Sequence, residues 1–368
     1  EMDNTDVKVK GGTIGTDDQG GADYGNVYGG GKGDADHTGA NHNYVAAGLV
    51  KGNTKVKIEN GTILHNVYGG GAYGTVGEFD YDNTTGLPTG RKTYTVGETV
   101  QSTTGGNTEV YITGGTIGTT GQENGMIFGS SRGDVGAPGS IHDKLAWVYD
   151  THVAIGDTTA TTTVTTAPLI RGSIYGGGEN GHNFRNSYVR INGGTIGISS
   201  DATYLYRGNV YGGGCGTDKY DNNTKYNPKA GIVQGNAFVN ITGGYVVHNV
   251  YGAGAMGSVG SGTSGGKTTV SISGGRIGYD GNGNGNVFSA ARGEYGISTA
   301  ASGLANVRET EVNICYTTTP TADDEDKTVQ LITGSVFGGG EAGTVKENVA
   351  VNMMGGLVLK DVYGGGAL

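Results

Sequence analysis

Proline and cysteine are scarce in this chain, with five and two residues in 368, and basic residues number only 24 against 34 acidic ones. Five prolines beside 77 glycines, with no strict every-third-residue period, exclude collagen. A formal net charge of -10 and the lack of any basic stripe argue against nucleic acid and against anionic membrane surfaces as partners. No apolar run approaches the roughly 20 residues that a spanning helix needs, and no stretch carries a helical period. The chain opens EMDNTDVKVKGG, without a charged-then-apolar leader, so any secretion signal is expected to have been removed or to lie outside it. Cys215 and Cys315 sit three repeats apart. At about 4.8 Å per stacked strand that is roughly 14 Å, beyond the ~7 Å limit between bridged Cα atoms, so both are expected unpaired.

What is present is repetition. NVYGGG and close variants recur at Val27-Tyr28, Val67-Tyr68, Ile127-Phe128, Ile174-Tyr175, Val210-Tyr211, Val250-Tyr251, Val287-Phe288, Val336-Phe337 and Val362-Tyr363. Fixed-period self-similarity marks units that bury an apolar face against the next copy. The units fall into four types that then recur. NVYGGGKGD from Asn26 answers NVYGGGCGTD from Asn209, and HNVYGGGAYGTVG from His65 answers HNVYGAGAMGSVG from His248. GGTIGTTGQENGMIFGSSRGDVG from Gly114 answers GGRIGYDGNGNGNVFSAARGEYG from Gly274, and GSIYGGGENG from Gly172 answers GSVFGGGEAG from Gly334. This reads as one elongated domain over 1–368: a first block at about 7–186, a duplicate at about 187–348, and a partial next unit at 349–368.

Within a unit, an alternating strand such as Thr108 to Thr113 leads through a glycine pair into a short second strand and then the aromatic one. TKVKI from Thr54, SYVRI from Ser187, AFVNI from Ala237 and TTVSI from Thr268 repeat the alternation. Two architectures fit: a chain of hairpins turning at the glycine pair or at Asn60-Gly61, and a parallel β-solenoid with like residues in columns. Nine sites that keep both an aliphatic and an aromatic position favour the solenoid. The expectation is an all-β parallel β-solenoid (β-helix) of about nine coils in a duplicated four-coil block. Its insertions, at Glu78 to Gln101, Val135 to Asp150 and Lys219 to Gln234, are expected at one corner.

The VxIxGGxI pattern leading into VYGGG resembles the repeats of glycine-rich β-solenoid surface proteins of bacteria, of adhesin and autotransporter-passenger type and from gut Bacteroidetes. The resemblance covers nearly the whole chain and implies extracellular display. It carries over no catalytic residue.

Tyr28, Tyr68, Phe128, Tyr175, Tyr211, Tyr251, Phe288, Phe337 and Tyr363 are expected to form a structural ladder, the alternative being a track on which sugars stack. Acidic groups at Asp17-Asp18, Asp34 with Asp36, Asp80 with Asp82, and Asp323 to Asp326 do not recur in neighbouring units, which argues against a paired-carboxylate hydrolase. GGGKGDAD lacks the spacing of calcium-binding β-rolls. His65 and His248 lie four units apart, His37 and His42 lack Cys or Glu companions, and no GxSxG elbow accompanies His142 or His182. Arg132-Gly133-Asp134 spells RGD, but its counterpart Arg292-Gly293-Glu294 marks it as a turn element. No catalytic residue, metal or cofactor is assigned. The expected role is a non-enzymatic structural or adhesive segment of a bacterial surface filament or stalk, self-associating end to end or continuing in a longer chain. The alternative is a carbohydrate-binding or polysaccharide-cleaving β-helix.

Overall fold

The computed structural model describes residues 3–16, 24–34, 45–156, 167–198, 207–260, 265–279, 284–298, 302–320 and 329–368. Apart from a 3-10 turn at Ile141–Lys144, its named elements are β-strands, and they pair mostly in parallel.

The alternating strands pair repeat to repeat without slipping where their valines and isoleucines meet. Val56 faces Val110 and Ile58 faces Ile112, then Val153 and Ile155, Val189 and Ile191, Val239 and Ile241, and so on to Val312 and Ile314. Period-two side-chain alternation makes this register obligatory, because a one-residue slip would turn every valine to water and every lysine or threonine inward. The inward positions are almost fully buried and form one continuous aliphatic cluster, each side chain contributing ~1.5–3 kcal/mol on burial.

Three further columns run beside this one. The short strands Thr116–Ile117, Leu169–Ile170 and Thr195–Ile196 stack on one another and on the ends of the ten-residue strands Thr54–Ile63 and Ala237–Val246. The nine valine-aromatic strands form a separate parallel sheet in chain order. Single bridges link Val50 to Val76, and Asn183, which pairs with Val148, to Val233, Val259 and Val307 in sequence, and Val307 pairs with Val345.

The ten-residue strands have a consequence for topology. Thr54–Ile63 and Ala237–Val246 each pair through their first half with the alternating strands and through their second half with the short ones. An eight-strand parallel circuit therefore closes within the twelve-stranded sheet. Among the described residues, the strands flanking a glycine pair do not pair with each other, as a hairpin would require. In Ala237–Val246 both halves pair in parallel with Lys267–Ile277, and the glycine pair only bends the chain; Gly244, at φ 84°, takes the left-handed conformation that the bend requires.

The insertions do not share one corner. Val135 to Asp150 and Lys219 to Gln234 leave between the aromatic strand and the valine bridge. Glu78 to Gln101 leaves after the bridge at Val76 and folds into two antiparallel hairpins, Phe79–Tyr81 with Pro88–Arg91 and Thr93–Val96 with Thr99–Ser102. The excursions before the bridge keep to alternate repeats. Phe128 to Val148, Tyr211 to Val233 and Phe288 to Val307 are long, whereas Tyr68 to Val76, Tyr175 to Asn183, Tyr251 to Val259 and Phe337 to Val345 share one short interval. Neighbouring strands only about 4.8 Å apart leave no room for a folded excursion on each; two repeats give close to the ~10 Å of packed layers.

Candidate functional site: the ring column and its carboxylates

The structure brings all nine aromatic residues into a single column. Ring centroids from Tyr28 to Tyr363 follow at 4.8, 5.0, 5.0, 4.6, 4.8, 5.1, 4.7 and 4.9 Å, with planes within 14°. The spacing is that of parallel strands, so backbone pairing dictates it. Tyr68, Phe128, Tyr175, Tyr211, Tyr251 and Phe288 are buried, Tyr28 and Phe337 partly so, and Tyr363 is 45% exposed. Both faces of every interior ring are covered by its neighbours, which leaves no free ring face there for a pyranose.

A glycine follows every ring of the column except Phe288, where Ser289 stands. A Cβ on Gly176 would lie 2.2 Å from the carbonyl oxygen of Gly212, and Gly29, Gly69, Gly129, Gly212 and Gly252 are as tight, whereas Gly364 meets nothing within 4 Å. Those carbonyls accept side-chain hydroxyls. Thr54, Thr108, Thr151 and Ser187 donate their hydroxyls at 2.6 Å to the carbonyls of Gly69, Gly129, Gly176 and Gly212, and Thr310 does the same to Gly338. Ala237 interrupts this hydroxyl column. Two asparagine columns add to it. Before the aromatic strands, the Oδ1 atoms of Asn26, Asn66, Asn209, Asn249 and Asn286 each accept the backbone N–H of the following repeat. Before the alternating strands, Asn4, Asn53, Asn186 and Asn236 do likewise. The signal for both was in the sequence, as the Asn or Thr at constant offset before each apolar pair.

Two buried phenols of the column meet carboxylates from other repeats, and the exposed Tyr363 donates to Asp361 of its own at 3.0 Å. Tyr68 donates to Oε2 of Glu179 at 2.5 Å, and Tyr251 donates to Oε2 of Glu341 at 2.5 Å; Asn66 and Asn249 donate to the same phenolic oxygens at 3.2 Å. Each glutamate lies two repeats beyond its tyrosine, on the short turn after Tyr175 or Phe337. The intervening ring is Phe128 or Phe288, and neither carries a hydroxyl to fill the slot. Burial first, and then the charge of Asp218, push the Glu179 carboxyl up to about 7, against the Tyr68 hydrogen bond and the Arg132 charge. Burial likewise holds the Tyr68 and Tyr251 phenols well above their ordinary range.

Arg132 lies over the Tyr73 ring at 5.8 Å. The backbone N–H groups of Arg132 and Gly133 donate to the carbonyls of Gly71 and Ala72, and Gly133 is at φ 71°, so Arg132-Gly133-Asp134 is a turn bonded to the preceding repeat. Asp218 accepts from Asn180 at 2.6 Å. Cys215 and Cys315 are free thiols, and burial pushes Cys215 up to about 11.

The long excursions contact one another across the short turns. Asn227 donates to Gly136 O at 2.9 Å and to the buried Asp143 carboxylate at 2.7 Å, and Lys229 pairs with Asp143 at 3.4 Å. Between them His182 has its ring nitrogens 2.9 and 3.1 Å from the carbonyls of Lys229 and His142. Burial keeps its imidazole below the ordinary value, opposed by the hydrogen bonds to these two carbonyls and by the Asp143 charge. Tyr226 donates to Glu294, joining the excursions of the fifth and seventh repeats.

Other sequence candidates have local work. Asp80 accepts from the backbone and hydroxyl of Thr93, and Asp82 from Thr84 and Thr85. His248 bonds the carbonyl of Arg207, and burial holds His65 below its ordinary value. Asp17, Asp18, Asp36, His37, His42, Asp323, Asp324, Glu325 and Asp326 lie outside the described residues. Among the described residues no group of three or more His, Cys, Asp or Glu is placed to hold a metal ion.

Comparison of this chain with family models, with curated proteins and with solved structures finds no match.

Proposed function

We propose that this chain winds as a β-solenoid of nine coils and serves as a non-enzymatic shaft segment of a bacterial surface filament or stalk. The observation that carries this reading is the use of side chains. Asparagine and ring columns join one repeat to the next, the hydroxyl column ties the two sheets within each repeat, and the recurring side chains of the motif are spent on holding the stack together. The two-block duplication supports one elongated domain, because the Tyr68–Glu179 and Tyr251–Glu341 pairs occupy equivalent places in both blocks.

End-to-end association or continuation in a longer chain belongs to the same reading. Surface display in bacteria rests on the resemblance of the VYGGG repeats alone. Negative-stain microscopy of the purified chain should show rods or end-joined fibres, and compact particles would refute self-assembly. A glycan array with reducing-sugar and unsaturated-product assays tests the alternative, a carbohydrate-binding or polysaccharide-cleaving β-helix. Binding or product there would displace the shaft reading.

A further inference from the structure

The column joins three features that a purely mechanical stack does not require. Its rings are in unbroken face contact over nine residues, with Tyr175, Tyr211 and Tyr251 in succession at 4.6 and 4.8 Å. Its interior rings are shut off from water. Two of its phenols already donate to carboxylates at 2.5 Å. A phenol loses an electron readily only if its proton leaves too, and in a dry column that proton needs an acceptor already within hydrogen-bond reach.

We propose that the column is a sink for one-electron oxidants, in which Tyr68 and Tyr251 become neutral tyrosyl radicals while Glu179 and Glu341 take up the phenolic protons. In each event the phenol O–H bond breaks. Its electron passes to the oxidant, which is reduced by one electron, and its proton forms an O–H bond on the carboxylate oxygen that already accepts it. Phenol, carboxylate and oxidant thus become phenoxyl radical, carboxylic acid and reduced oxidant. The stacked neighbours Tyr28 and Phe128, or Tyr211 and Phe288, cover both faces of the radical ring and exclude the water and second radicals that would quench it. Phe128 and Phe288 supply the room for the carboxylates, so the placement of phenylalanine within a tyrosine column is part of the device. This inference is independent of the shaft reading.

The test is pulse radiolysis of the intact chain in azide, where the azide radical removes one electron from tyrosine or tryptophan, followed by transient absorption and freeze-quenched electron paramagnetic resonance. Absorption separates the tyrosyl signal from that of Trp147. The wild type should hold a persistent tyrosyl radical. The double variant Glu179→Gln and Glu341→Gln keeps an acceptor of the same shape but no base, and its persistent fraction should fall on the order of tenfold, the size implied by loss of a charge-assisted partner. Tyr68→Phe with Tyr251→Phe should abolish the signal. High-field resonance on the wild type needs no variant: the g-tensor should be that of a hydrogen-bonded tyrosyl. A persistent signal unchanged in either double variant, or a wild-type g-tensor without a hydrogen bond, overturns the proposal.

Discussion

The hydroxyl of Thr108 donates to the carbonyl oxygen of Gly129 at 2.6 Å, from the start of one strand to the end of the aromatic strand in the same repeat. The bond is buried and crosses the inside of the repeat, fixing the distance between two sheets. Thr108→Val keeps the shape and leaves that acceptor without its hydroxyl. The expected loss is ~1–3 kcal/mol in urea unfolding, whereas Thr108→Ser, which retains the donor, should lose less.

Clearance between repeats is a second test. Gly176→Ala would place a methyl 2.2 Å from the Gly212 carbonyl oxygen and 3.0 Å from Cγ2 of Val189, so backbone of the next repeat must shift. Destabilisation beyond about 3 kcal/mol, or failure to fold, is expected. Gly90→Ala, in the hairpin formed by Pro88–Arg91, meets nothing within 4 Å and should stay within about 0.5 kcal/mol. Thermal melting of the two variants side by side measures the contrast.

Asn249 serves two repeats at once, accepting from the backbone N–H of Asn286 at 2.9 Å and donating to the Tyr251 phenol at 3.2 Å. Asn249→Ala removes both. A loss of ~1–2 kcal/mol is expected, together with faster amide hydrogen exchange at Asn286.

The pH dependence follows from Glu179. Its carboxyl is pushed from 4.5 up to about 7, so the folded state holds its proton more tightly than the unfolded chain. The stabilisation from that protonated form is therefore full below about 4.5 and is lost as pH rises through about 7. Glu179→Gln should flatten the fall in stability between these values. Denaturant midpoints across this window measure it, and an unchanged slope in the variant would contradict the assignment.

The alternation of Val56 and Ile58 with lysines and the recurrence of VYGGG made the all-β, strand-on-strand character legible, because period-two burial and stacking are local properties of the chain. The partnership of Tyr68 with Glu179 was not legible. It spans two repeats and depends on Phe128 lacking a hydroxyl, and only the superposition of three units reveals it. The acidic pairs that stand out in sequence, such as Asp80 with Asp82, instead hold turns through nearby threonines. The alternate-repeat placement of the long excursions was visible only as variation in unit length. Its cause is spatial: Asp143 and Asn227, far apart in sequence, need an intervening short turn to meet.

The central claim is axial superposition of like residues, and an experimental density map tests it most directly. The rings of Tyr68, Phe128, Tyr175, Tyr211, Tyr251 and Phe288 should appear as one column with centroids 4.6–5.1 Å apart. Rings pointing in unrelated directions, or adjacent repeats paired in antiparallel, would contradict it.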